Sequence, residues 1–261
     1  RLVGLSSGAP TSQDVEQATN GGTNGIARVA ARSSSDAMTV FQSGSSVRVA
    51  HVDFSGAVAS SVVLPGTNLR GELGMDVLAR VQSLPGYIVT WVSGTTPSVN
   101  LAVVSNELVV TANGVLGAGS NPVLAATPYG YVGVAYVGPD GRPRLHYLNR
   151  DSLNCTIGNG PRAGCAIVTS ERTVSSPVGG GTFSTTLDLS GNINTFWLVA
   201  RTSDGELLQR VSAGFSAVRE EVFRTSSSTS WMTVVTNATE GPVASRGTGS
   251  GFSHNFLGCA P

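Results

Sequence analysis

The chain has 261 residues, of which 16 are basic, all of them arginine, and 16 are acidic, so the formal net charge is zero. No basic excess is available to neutralise a phosphate backbone, and no apolar run reaches the roughly 18 residues of a membrane-spanning helix. We therefore expect no nucleic-acid partner and no membrane insertion. The hydrophobic content of 40% disfavours general disorder.

Short Val-rich runs, broken by Gly, Ser, Asn, Asp and Pro, follow one another along the chain and predict antiparallel strands. Five hairpins are recognised by a β-rich run that leads into a Gly-containing turn, because Gly accepts the positive φ of tight turns. The second strand of each hairpin contributes one apolar residue to a common column: Val52, Val104, Leu148, Val211 and Leu257. This column recurs at spacings of 44 to 63 residues.

One further strand precedes each of the five hairpins, and another strand follows each of the first four hairpins. The predicted unit is therefore four antiparallel strands. The predicted units cover residues 26–64, 75–115, 122–174, 182–224 and 231–258 of a single domain, 1–261. The fifth unit ends before a fourth strand. We expect Leu2–Leu5, within residues 1–7, to supply that strand and close a ring.

Four-stranded units at this spacing are typical of β-propellers, in which each sheet packs its faces against its neighbours. In this pattern the chain resembles a small five-bladed β-propeller, of the kind seen in secreted sugar-binding and sugar-cleaving proteins. The resemblance covers nearly the whole chain and concerns architecture alone. The same short strands are also compatible with a β-sandwich or jelly roll, which is the alternative fold.

The cysteines and the termini bear on the compartment. Cys155 and Cys165 bracket a Gly- and Pro-rich loop, and we expect a disulfide between them, as in secreted proteins; two reduced thiols are the alternative. Cys259 is then left over. Because the chain begins at Arg1, we expect that it was processed or excised. Arginine without lysine is typical of a GC-rich, bacterial genome, and a selected surface chemistry is the alternative. The predicted localisation is secreted or cell-surface.

The sequence offers no convincing catalytic or metal centre. The three histidines, His51, His146 and His254, fall on equivalent strands of different units, and each is expected to be half-buried. We predict no metal, because neither a His-x-x-x-His nor a Cys-x-x-Cys spacing occurs, and no cofactor. Glycoside hydrolysis needs two carboxylates about 5–10 Å apart. The candidates Asp76 and Asp188 are expected near opposite ends of their strands, so the prediction leans against an enzyme.

Binding is the function that the pattern favours. Propellers commonly bind through the connections between sheets and the turns between second and third strands. The charged residues expected on that face are Arg70, Glu72, Asp140, Arg142, Asp204 and Glu206. Phe41, Trp91 and Tyr136 are expected to pack between sheets. The prediction is a binding module for carbohydrate or an extracellular protein. The alternatives are a glycoside hydrolase or lyase and a structural domain of a larger extracellular protein.

Overall fold

The computed structural model describes fifteen segments of the chain: residues 2–4, 11–13, 27–31, 36–53, 58–79, 86–127, 131–148, 170–173, 183–192, 195–202, 205–212, 218–223, 229–237, 241–248 and 251–256. The regular elements in these segments are 21 β-strands and one 3₁₀ turn, Gly71–Leu73.

A small hairpin opens the chain. Strand β1 (Leu2–Gly4) pairs antiparallel with β2 (Thr11–Gln13). This corrects the prediction that Leu2–Leu5 completes the fifth unit, because the described partner of β1 is its own hairpin neighbour. Joining strands about ten residues apart costs less loop-closure entropy than joining strands about 250 residues apart. The described strands therefore do not close a ring.

Five antiparallel sheets follow, each with its strands in chain order. The first contains β3 (Ala27–Ala31), β4 (Asp36–Ser43), β5 (Ser46–Asp53) and β6 (Val58–Val63). The second contains β7 (Met75–Ala79), β8 (Tyr87–Ser93), β9 (Ser98–Val104) and β10 (Val110–Ala118). The third contains β11 (Ser120–Ala126), β12 (Val132–Val137), β13 (Pro143–Leu148) and β14 (Ser170–Thr173).

The last two sheets continue the same pattern. The fourth contains β15 (Phe183–Asn192), β16 (Thr195–Thr202), β17 (Gly205–Ser212) and β18 (Val218–Phe223). The fifth contains β19 (Thr229–Asn237), β20 (Gly241–Thr248) and β21 (Gly251–Phe256). The hairpins and their flanking strands thus lie on the predicted Val-rich runs.

Apolar side chains join each of the first three sheets to the next. Between the first and second sheets, Met38 and Val49 pack with Met75 and Trp91 in one buried cluster. Two clusters join the second and third sheets, and they include Ile88, Leu101, Val134 and Leu148 in one and Val92, Val99 and Tyr136 in the other. A further cluster joins the third and fourth sheets through Ala135, Leu145, Phe196 and Leu198. Alternation along each strand sends successive side chains to opposite faces, which explains how one sheet supplies two interfaces.

A single residue, Gly119, connects β10 to β11 and so turns the chain from the second sheet into the third. Its φ is +158°, and a Cβ atom built on it would lie 2.4 Å from the carbonyl oxygen of Val137. Only glycine fits this close approach of two backbones. The tight connection holds the innermost strand of the third sheet directly against the second sheet.

The prediction of an all-β chain with four-stranded antiparallel sheets is confirmed. The second and third sheets each pack on both neighbours, which is the arrangement of propeller blades rather than of the two layers of a sandwich. The five-blade count and the ranges of the units within a single domain stay predictions.

Candidate functional site

The candidate site is the end of the sheets where the chain passes from one sheet to the next. We call this end the turn face and define it by four described segments: the β4–β5 turn, residues 64–74 between β6 and β7, the β8–β9 turn and the β12–β13 turn. Backbone hydrogen bonds tie neighbouring parts together. The amide of Gly94 donates to the carbonyls of Thr67 and Asn68 at 3.0 Å, and that of Gly119 donates to the carbonyl of Pro97 at 3.0 Å.

Arg70 and Glu72 lie in the connection between the first two sheets, as predicted for this face. The amide of Arg70 donates to the carbonyl of Val92 at 2.9 Å, which fixes the connection to β8. A Cβ atom on Gly71 would lie 2.5 Å from Met75 Cε and 3.0 Å from Gln42 Cβ. The 3₁₀ turn therefore packs closely against β4 and β7.

The side chains of Arg70 and Glu72 form an ion pair, with Nε 2.5 Å from Oε1. They are 38% and 46% exposed, so solvent and a ligand can reach both. Partial burial raises the pKa of the Glu72 carboxyl. The Arg70 guanidinium, the backbone and the Gln42 amide outweigh that effect by hydrogen bonds and charge, and the pKa ends below its ordinary value. Glu72 is therefore an ionised acceptor at neutral pH.

Asp140 and Arg142 lie in the β12–β13 turn of the third sheet. The turn is closed by the amide of Gly138, which donates to the carbonyl of Arg142 at 2.8 Å. The Asp140 carboxylate accepts from the Arg142 amide at 3.2 Å and from the Arg144 guanidinium at 3.0 Å. Partial burial raises the pKa of the Asp140 carboxyl. The hydrogen bond from the Arg142 amide and the positive charge of Arg144 lower that pKa by a larger amount, so it lies below its ordinary value.

Arg144 was not among the predicted site residues. It pairs with Asp140 at a separation of four residues, across the Gly141–Pro143 part of the turn. The sequence does contain a signal for this ion pair, because Asp140 and Arg144 flank a turn whose two ends must meet. A pattern based on loops alone omits Arg144, since it already belongs to β13.

For the other predicted site residues, the structure gives no side-chain contact on the turn face. Asp204, Cys155 and Cys165 lie outside the described residues, so the expected disulfide stays a prediction. Glu206 lies in β17, where its backbone is opposite Arg201 of β16 and Phe223 of β18. Of the six predicted binding residues, the structure brings Arg70 together with Glu72, and Asp140 together with Arg142.

The aromatic residues Trp91 and Tyr136 pack between sheets, as expected, and each is 1% exposed. Tyr136 Oη lies 3.0 Å from His146 Nε2, and the two rings stack with centroids 5.4 Å apart. His146 is fully buried rather than half-buried, whereas His51 has the expected intermediate exposure. Trp91, Tyr136 and His146 thus belong to the interior and are not available to stack on a ligand.

Asp76 and Asp188 were expected at opposite ends of their strands, and this prediction is wrong. Asp76 lies opposite Thr90, three residues before the end of β8, and Asp188 lies opposite Val199, three residues before the end of β16. The two residues thus occupy equivalent register positions on the innermost strands of the second and fourth sheets. Positions counted along each strand do not reveal this equivalence, because β7 and β15 differ in length. It follows from the pairing of each strand with its hairpin partner.

The Asp76 carboxylate joins two sheets. Its Oδ1 accepts from the Val77 amide at 2.9 Å, and its Oδ2 accepts from the Leu124 amide of β11 at 2.8 Å. Both carboxylate oxygens therefore accept hydrogen bonds from main-chain amides. Within the segments that the structure describes, no group of three or more His, Cys, Asp or Glu side chains is placed to bind a metal. Those same segments contain no helix with the length and hydropathy needed to span a bilayer.

No protein-family model matches the chain, and no curated protein matches its sequence. Among solved structures, the chain is similar to the Aleuria aurantia lectin in complex with Fucalpha1-6GlcNAc, with 12% identity, coverage of 89% of this chain and 94% of that one, and a TM-score of 0.47. It is also similar to the β-propeller domain of Myceliophteria thermophila Cps50 (Swd1), with 8% identity, coverage of 84% and 80%, and a TM-score of 0.41.

A third similar structure is the dihydro-heme d1 dehydrogenase NirN, with 16% identity and a TM-score of 0.45. The match covers 84% of this chain, which spans 40% of the length of that enzyme. The solved structures that the chain resembles are mostly β-propeller proteins. These likenesses concern the fold.

Proposed function

We propose that the chain is a carbohydrate-binding module that acts outside a bacterial cell, secreted or at its surface, and that it binds through the turn face. One observation carries this proposal. Two partly exposed ion pairs, Arg70–Glu72 and Arg144–Asp140, stand on backbone segments that are fixed by hydrogen bonds at the same end of neighbouring sheets.

The chemistry of these pairs suits a neutral, hydroxyl-rich ligand. A guanidinium has five N–H donors and a carboxylate about four acceptor sites, so each pair keeps bonding capacity after its internal hydrogen bond. Sugar hydroxyl groups both donate and accept, and neighbouring hydroxyls can bridge such a donor–acceptor pair. Because each pair is neutral as a whole, it offers little net field for a phosphate or another multiply charged ligand.

A glycan array followed by calorimetry tests the proposal. We expect at least one glycan to bind, and Glu72→Gln or Asp140→Asn to weaken its binding about tenfold, the effect of losing one charge-assisted hydrogen bond. The matched control is Glu107→Gln, which removes an exposed carboxylate from the β9–β10 turn at the opposite end of the second sheet. The proposal is contradicted if no glycan binds, or if the control weakens binding as much as the turn-face variants.

A glycoside hydrolase is the second candidate, and the equivalent register positions of Asp76 and Asp188 favour it. Both oxygens of Asp76 accept main-chain hydrogen bonds, which favours a structural role for that residue. Release of reducing ends from a bound glycan, abolished by Asp188→Asn with binding retained, would establish the enzyme. Binding without release supports the module.

The prediction also named an extracellular protein as partner, and a structural domain of a larger extracellular protein as a further alternative. Capture of a protein by the wild-type chain, lost on Glu72→Gln and retained on Glu107→Gln, would identify the turn face as a protein-binding surface in place of a sugar-binding one.

A further inference from the structure

The outermost strands of the sheets differ sharply in charge. In each of the first four sheets, one edge is formed by the last strand: β6, β10, β14 or β18. Strand β14 carries Glu171 and Arg172, and β18 carries Arg219, Glu220 and Glu221. Charged residues on an edge strand discourage pairing with another chain. The outer strands of the third and fourth sheets thus contain charged residues of the kind that protect an edge.

Strand β10 has no such protection. It is nine residues long and contains no charged residue, and among the described strands it pairs only with β9. Its Val115 is 68% exposed, and Val109 just before it is 50% exposed. An edge strand presents a row of backbone donors and acceptors to solvent, and an uncharged, apolar edge favours strand addition.

The remaining outer strand, β6, is also uncharged, but it is shorter and a cation lies against it. Arg48 of β5 donates from Nε and from one terminal nitrogen to Ser61 Oγ, at 3.2 and 2.8 Å. The guanidinium adds a positive charge to the six-residue edge. Among the outer strands of these four sheets, β10 is thus the one most open to pairing.

We propose that β10 pairs with β10 of a second copy of the chain, antiparallel, about a two-fold axis through Gly114. A two-fold axis perpendicular to the joined sheet relates antiparallel neighbours, and side chains that face each other must then lie on the same side. This geometry puts Gly114 opposite Gly114 and Val115 opposite Asn113 of the second copy. Ala112–Val115 pair with β9 in unbroken register, so the centre of the contact is regular.

Charge is the reason to choose a second copy as the occupant. Self-pairing places each residue near its own duplicate, so a charged strand such as β18 brings like charges together, whereas β10 brings none. The contact is isologous and uses the same edge of both copies, so it closes at the dimer. Register shifts at Val110/Ala112 and at Val115/Gly117 limit the regular stretch, so the contact is small and we expect a weak dimer.

Sedimentation equilibrium of the chain across about 1–500 μM tests the dimer. We expect a concentration-dependent dimer, weakened about tenfold or more by Asn113→Lys combined with Val115→Lys, which sets lysine opposite lysine twice. Asn113→Lys combined with Val115→Glu sets opposite charges across the axis and should restore the wild-type affinity. Val63→Lys, on the exposed edge strand β6, is the matched control and should leave the dimer unchanged.

Circular dichroism verifies that each variant is folded, as expected for side chains exposed on an edge. A wild-type chain that stays monomeric across the range overturns the proposal, even if it binds an added extended peptide. The same holds if the double-lysine variant dimerises as well as the wild type, or if the lysine–glutamate variant dissociates as readily as the double-lysine one.

Discussion

The turn face and the interface between the second and third sheets both use polar side chains, in opposite surroundings. At the interface, Tyr136 and His146 meet with exposures of 1% and 2%, and Asp76 bonds to the main chain of the neighbouring sheet. On the turn face, the Arg70–Glu72 pair is more than a third exposed. Burial makes the interface groups costly to disturb, whereas solvent leaves the turn-face groups free to exchange partners.

This contrast separates stability from binding. A buried group that loses its partner keeps its desolvation cost, while an exposed one is solvated by water instead. We therefore expect substitutions at the interface to lower the free energy of unfolding and those on the turn face to alter ligand affinity at nearly constant stability.

The largest expected effect is at Gly119. Gly119→Ala drives a Cβ atom into the Val137 carbonyl oxygen, at 2.4 Å, and should lower the free energy of unfolding by about 3 kcal/mol in urea titrations. Gly141 in the β12–β13 turn has φ +76° but no atom within 4 Å of a built Cβ. Gly141→Ala should therefore cost only about 1 kcal/mol, the penalty of the left-handed backbone. Equal losses at both sites would contradict the steric explanation.

The second prediction concerns the link between sheets at Asp76. Asp76→Asn replaces one acceptor oxygen with a donor that cannot accept from the Val77 or Leu124 amide. We expect a loss of about 2 kcal/mol in the free energy of unfolding. Asp140→Asn, the turn-face counterpart, should cost less than about 1 kcal/mol. A smaller loss for Asp76→Asn than for Asp140→Asn would show that Asp76 does not hold the two sheets.

The third prediction is a coupling between Tyr136 and His146. Tyr136→Phe removes the hydroxyl from a buried 3.0 Å contact and should cost about 1.5 kcal/mol. A double-mutant cycle with His146→Gln isolates the pair, and we expect a coupling energy of about 1 kcal/mol from the four unfolding curves. Additive effects would mean that each side chain contributes through packing alone.

Much of the fold was predictable because its signals are local. Val-rich runs and Gly-containing turns specify hairpins, and consecutive hairpins in chain order build the observed sheets. The partner of β1 was mispredicted, since the choice between a local hairpin and a distant strand depends on loop entropy rather than on residue type.

The site was predictable only in part. Charged turn residues such as Arg70 and Asp140 follow from their place between strands, whereas the hydrogen bonds that hold them do not. The link from Asp76 to Leu124 joins residues 48 positions apart, and nothing in either local sequence marks it. The equivalence of Asp76 and Asp188 likewise required the register of both hairpins.

The smallest expected effect is a pH dependence on the turn face. The pKa values of Glu72 and Asp140 are lowered in the folded chain, so each carboxyl contributes stability above its unfolded pKa, near 4.5 and 3.8 respectively. That contribution is lost as the pH falls through the lower, folded pKa values. Because both pairs are partly exposed, the combined contribution should be less than about 1 kcal/mol.

Unfolding free energies measured between about pH 6 and pH 2.5 test this for the wild type and for the Glu72→Gln, Asp140→Asn double variant. Their difference should shrink as the pH falls, because protonation removes from the wild type what the substitutions removed from the variant. Added salt should reduce the difference at pH 6, since exposed ion pairs are screened. A difference that stays constant with pH and salt would mean that the substitutions act through packing, and the turn face would then resemble the buried interface with which it is contrasted.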